Sequence, residues 1–232
     1  MIEFALHRHS ESDNGGNGNG LSSMDRSGWV LDKSKFLSIE EVNRLLRSIK
    51  TRAENSGHTK GKTAVKDYLV VHLGLCTGLR VSEIANLNCG DVFLEDGMSS
   101  LVVRRGKGGK PRSVSFNGVL RDHLTQYLHW KKGIGEYVTE DAPLLASPST
   151  GKCMTTRALQ KAFKRCARHA GLSPHYSIHS LRHTYACHLY KASDWNLRLV
   201  QKQLGHTSIA TTQVYADVME PDMQRALERL YK

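Results

Sequence analysis

The stretch "SSLVVRRGKGGKPRSVSFN", residues 99–117, narrows the fold more than any other. Two short β-type runs, "SSLVVRR" and "PRSVSFN", flank the Gly/Lys turn "GKGGK", which reads as strand, turn, strand. Almost every patterned segment around it has the helical period. The expected class is therefore mainly α, with a small antiparallel β-sheet or hairpin inserted early.

Helical order begins at "FLSIEEVNRLL". Ser38 with Glu41 makes a capping box, Leu37 and Val42 the accompanying staple, and a helix is expected over about 39–50. "TRAENSGHTKGKT" reads as a loop, followed by the apolar helix "AVKDYLVVHLGLCTGLR" with a glycine break at Gly78 and a helical continuation through "RVSEIANL". Past the hairpin come "VLRDHLTQYLHW" and "TTRALQKAFKRCARHAGL". In the latter, Leu159, Phe163, Cys166 and Ala170 share a face, and Gly171 is the expected C-terminal stop. "HSLRHTYACHLYKA" and "LRLVQKQLG" follow. Two units are expected: a flexible tail, 1–35, whose Gly/Asn/Ser-rich stretch has almost nothing to bury, and a folded domain, 36–232. Residues 219–232 are expected to be an amphipathic helix, with Met223, Leu227 and Leu230 on one stripe, fit to dock on a neighbouring protomer.

Charge points to the partner. The chain carries 33 Lys and Arg against 22 Asp and Glu, a formal net charge of +11. Residues 1–35 hold only four of those bases and five of those acids, so the excess belongs to the folded part. A basic folded domain calls for a polyanion. Five scattered cysteines with no C-x-x-C pair fit reduced thiols. With no apolar run of membrane-spanning length and no signal-peptide pattern, a cytoplasmic protein with no membrane partner is expected.

Three basic clusters carry candidate chemistry: "TGLRVSE", "RRGKGGKPR" and "HSLRHT". Any one of them alone reads as a solvated charged face. Arg80 is different, because it ends an apolar helix and Glu83 lies three residues on, placed to orient its guanidinium. His179 and Arg182 are also three apart and aim two donors at one spot, which suits an anion. A zinc site among His175, His179, His183 and His188 is disfavoured, since neither a cysteine pair nor an HExxH motif accompanies them. His183 and His188 read as structural.

"TGLRVSEIANLNCGDV", "RRGKGGKPRSV", "HSLRHTYACHL" and "LGHTSIATTQVYADV", in that order, resemble the catalytic domain of tyrosine recombinases, the phage-type integrases and Xer-like enzymes. The resemblance covers about residues 36–232. It implies a tyrosine-recombinase catalytic-domain fold and catalytic roles for Arg80, Lys107, His179, Arg182, His206 and Tyr215, with Glu83 in support. Lys110 is the fallback if the hairpin register is shifted. Arg104, Arg105, Lys110 and Arg112 are expected to contact DNA. Tyr215 would attack a phosphodiester and leave a 3′-phosphotyrosine, the two arginines supplying the charge stabilisation that a metal provides elsewhere. Neither cofactor nor metal is expected. The implied partners are duplex DNA at a specific site and further copies of the chain, dimer to tetramer.

Two departures from the family pattern stand out. The short tail before Ser38 cannot form the helical core-binding module that usually precedes this domain, so the chain is expected to be either a catalytic-domain fragment or a minimal recombinase. Without that clamp, weak, salt-dependent DNA binding is expected. Ala192-Ser193-Asp194 also occupies a turn where a glycine is usual. A type IB topoisomerase and a non-catalytic DNA-binding accessory protein are the rival readings.

Overall fold

The computed structural model describes residues 33–55, 61–95, 97, 99–104, 110–218, 227 and 230. The expected flexible tail thus lies almost wholly outside the described residues, and so does most of the expected C-terminal helix. Of that helix Leu227 and Leu230 are described, each 55% exposed.

Helix α1, Ile39–Asn55, starts at the anticipated box. Glu41 Oε2 accepts from the Ser38 backbone N–H at 2.9 Å, and Ser38 Oγ accepts from that of Glu41 at 3.2 Å. The helix outruns the expected 39–50 because "TRAEN" holds good helix formers and no breaker before Gly57. Helix α2, Lys62–Thr77, is apolar on nearly every side and lies at the centre, packed on α1 and on four later helices.

A short helix α3, Val81–Ala85, leads into a three-stranded antiparallel sheet. Strand β1 is Val92–Phe93, β2 Ser100–Val103 and β3 Arg112–Ser115. The sheet order is β1-β2-β3, with Leu101 opposite Val114 and Val103 opposite Arg112. Leu101, Val103 and Val114 turn inward, as period-2 alternation requires. Strand β1 was not foreseen, since two residues are too few to show a period.

Helices α4, Gly118–Gly133, and α5, Thr156–His169, follow. Asn117 and Thr155 cap them by accepting backbone N–H bonds from Leu120 and Ala158. On α5 the expected face is buried, and Gly171 takes the left-handed conformation just past its end. Helices α6, Ile178–Ala192, α7, Leu197–Leu204, and α8, Ala210–Val218, complete the fold. The turn lacking its glycine instead holds two consecutive left-handed residues, Asp194 (φ 51°) and Trp195 (φ 64°). The Trp195 ring packs edge-on against Tyr190 there, and the Trp195 backbone N–H donates to Tyr190 O at 2.9 Å.

The main core spreads around α2, and a second cluster forms where α6, α7 and α8 meet: Ala186, Cys187, Tyr190, Val200, Leu204 and Tyr215. Two groups of buried charges are paired. Arg165 on α5 grips Asp67 on α2 through two hydrogen bonds, of 2.6 and 3.0 Å. Lys66 and Lys131 converge on the Glu136 carboxylate at 2.7 and 2.9 Å, so that none of the three is a bare buried ion. Among the described residues no helix is long and apolar enough to cross a membrane.

Candidate active site

Two glycine turns build the site. Gly78 ends α2 with φ 62°, its N–H donating to Gly74 O. That turn sets Arg80 at the N-terminus of α3 in extended conformation, where Glu83 Oε2 accepts the Arg80 backbone N–H at 2.8 Å. The other oxygen, Oε1, accepts from Arg80 Nη1 at 3.1 Å. Burial pushes the Glu83 pKa up, but hydrogen bonds from Arg112 and the Arg80 backbone outweigh it and hold the carboxyl below its usual range.

The second turn is Gly205, φ 65°, which ends α7. Leu204 and His206 flank it, and both hold Arg182. Arg182 Nη1 donates to Gly78 O at 2.6 Å, and Nη2 donates to Leu204 O at 3.0 Å and to His206 Nε2 at 2.9 Å. Since a guanidinium only donates, His206 Nε2 accepts, and its proton sits on Nδ1, which donates to Thr212 Oγ1 at 2.9 Å. Burial, helped by the charge of Arg80, lowers the Arg182 pKa to about 10, so the group remains charged at neutral pH.

Tyr215 lies on α8 and is 2% exposed. Burial raises its pKa to about 12, with Arg182 and Arg80 pulling the other way. Its hydroxyl lies 3.2 Å from Nδ1 of His183, whose own pKa is lowered to about 4 by burial first and by Arg182 next. His179, by contrast, is exposed in the first turn of α6, one turn before Arg182.

Arg80, Glu83, Arg182, His206 and Tyr215 therefore gather in one region. Lys107 and Arg105 lie outside the described residues. Lys110 is exposed, and Arg104 is half exposed while donating to Asp91 Oδ2 at 2.7 Å. The Arg112 guanidinium turns inward onto Glu83. Sequence reasoning missed three residues of this region. They are Arg112 as the partner of Glu83, His183 as the partner of Tyr215, and Thr212, which fixes the His206 tautomer. The only advance signal was the place of His183 directly after Arg182.

The phage integrase family model matches residues 35–221. Tyrosine recombinase XerC of Proteus mirabilis is 34% identical over 190 residues, covering 82% of this chain and 56% of that protein. Tyrosine recombinase XerA of Pyrococcus furiosus is 33% identical over 198 residues, 84% of this chain and 61% of the other. The chain thus spans little more than half the length of these curated relatives. Among solved structures, the XerH site-specific recombinase bound to palindromic difH substrate, in its post-cleavage complex, superposes with a TM-score of 0.68 at 27% identity, covering 85% of this chain and 53% of that one. The fold of this chain is mainly helical with a small three-stranded antiparallel sheet, and by the match over residues 35–221 the chain belongs to the phage integrase family.

Proposed function

We propose that this chain is the catalytic domain of a site-specific DNA recombinase that cuts and rejoins strands through a covalent phosphotyrosine. The observation that carries the reading is the gathering of Arg80 and Arg182 with the buried phenol of Tyr215, from three separate helices. In the proposed reaction the Tyr215 oxygen attacks the phosphorus, the phosphorus–O5′ bond breaks, and the DNA keeps a 3′-phosphotyrosyl link and a free 5′-hydroxyl. A 5′-hydroxyl from a second strand reverses the step, and the phosphodiester count is unchanged, so no ATP is consumed. Two guanidiniums would hold the non-bridging oxygens as charge builds on them.

A buried phenol needs help to lose its proton. His179 is our candidate base and Lys107 our candidate acid for the leaving 5′-oxygen. Tyr215 meets His183 in the structure instead, so α8 would have to shift for the phenol to reach DNA. His206 would bind a phosphate oxygen through Nε2 once that nitrogen carries a proton. The proposed partners are duplex DNA at a recombination site and further copies of the chain, with residues 219–232 docking between them, and the proposed setting is the cytoplasm. The recombinase names of XerC, XerA and XerH favour strand exchange over relaxation.

The test uses a pool of nicked duplexes with a randomised arm, incubated with the chain in EDTA and resolved on a denaturing gel. A protein–DNA adduct that survives EDTA and disappears in Tyr215→Phe is expected. The proposal fails if no adduct forms, if Tyr215→Phe still forms one, or if a divalent ion is required.

A further inference from the structure

Arg112 is the first residue of β3, five positions after Lys107 in the sequence. Its Nη1 donates to Glu83 Oε1 at 2.8 Å and its Nη2 to Oε2 at 3.1 Å. With the two bonds from Arg80, the Glu83 carboxylate thus accepts four, which is its full capacity. Arg80 reaches it with Nη1 only. Among the described residues the Arg80 side chain has no other partner, and it is 33% exposed. Arg112 is only 16% exposed and is pressed under the second glycine turn, where a Cβ on Gly205 would stand 2.5 Å from its Nε. That close approach accounts for Arg112 Nε being buried with no hydrogen-bond acceptor.

We infer that Arg112 is a positioning residue for the strand-transfer reaction, and the inference rests on the function proposed above. By filling both oxygens of Glu83 it keeps Arg80 tied at a single nitrogen, so that the other guanidinium donors face the phosphate. Without Arg112, two lone pairs of Glu83 open beside Arg80. The forked guanidinium would then close onto the carboxylate in the bidentate geometry that such pairs favour, and turn away from DNA. Arg112 also rests beneath Gly205, whose neighbours Leu204 and His206 hold Arg182, so one side chain sets the hairpin, the Arg80 pair and the Arg182 turn against each other.

The experiment uses the full chain and a duplex recovered from the randomised pool. Single-turnover cleavage at saturating DNA, DNA affinity against salt, and thermal unfolding are measured for wild type, Arg112→Ala, Arg112→Lys, Glu83→Gln and the Ala/Gln double variant. Arg112→Ala is expected to cut the cleavage rate about 100-fold while affinity and salt slope stay at wild-type values. Arg112→Lys, which keeps the charge but not the fork, is expected to recover part of the rate. The double variant should be no slower than Glu83→Gln alone, because Arg112 acts through Glu83. A salt slope smaller by about one, with the rate at saturation intact, would make Arg112 a phosphate contact and overturn the inference. Additive losses in the double variant, or an unchanged rate in a folded Arg112→Ala, would overturn it too. Absence of the wild-type adduct would instead refute the proposed function, so the two failures are distinguishable.

Discussion

Gly78 illustrates how much of this site is set by single residues. Its left-handed φ of 62° turns the chain from α2 toward Arg80, and its carbonyl accepts from Arg182 at 2.6 Å. A Cβ there would collide with the Tyr185 ring and lie 2.9 Å from Leu204 Cδ2. Gly78→Ala is expected to destabilise the fold by at least about 2 kcal/mol, from left-handed backbone cost plus overpacking, as read by urea unfolding. A loss below about 0.5 kcal/mol, within the range of ordinary surface changes, would contradict it. At this scale the sequence was informative where chemistry and spacing coincide, as in Arg80 with Glu83. It did not reveal that Arg112 meets Glu83 or that His183 meets Tyr215. Which way a guanidinium or an imidazole points depends on packing against distant segments, Gly205 for the one and α8 for the other.

Between elements, the α2–α4 contact carries an unusual pair. His72 and His123 face each other with their Nδ1 atoms 2.7 Å apart, and both rings stack with Tyr68. They line a cavity of about 530 Å³ bordered by α1, α2 and α4. Burial lowers the His72 pKa to about 4, and burial with the neighbouring ring lowers that of His123 to about 3. An unfolded histidine titrates near 6.5, so below that pH the unfolded chain binds protons that the folded chain refuses. Stability contributed by the neutral pair is complete above about pH 6.5 and is lost as pH falls toward the folded values. The loss is at most about 1.4 kcal/mol per pH unit for each ring. His123→Gln is expected to flatten the urea midpoint between pH 6.5 and 4.5, and an unchanged slope would refute the assignment. The hydrophobic periods located α1, α4, α5 and α7 well, because each buries one face, but they did not show α8, Ala210–Val218. They gave no hint of β1, whose pairing is only with β2, or of the left-handed Asp194-Trp195 turn.

For the molecule as a whole, a net charge of +11 joins a site built from donors. Binding to a nonspecific duplex is expected to fall about 10³-fold or more between 50 and 200 mM salt, as for a protein meeting six or more phosphates, measured by fluorescence anisotropy. A fall of less than about tenfold would mean that few phosphates are met. The order of four motifs along the chain made the family legible before any coordinate. How those motifs meet was not legible, since Arg182 is gripped by main-chain oxygens of Gly78 and Leu204, which carry no signature in residue type. That grip creates a blind spot for scanning mutagenesis. Replacing a side chain leaves its own carbonyl in place, so an alanine scan sees positions 78 and 204 only as packing, never as the acceptors they are. An amide-to-ester exchange, which weakens the carbonyl itself, is the kind of change that reaches them.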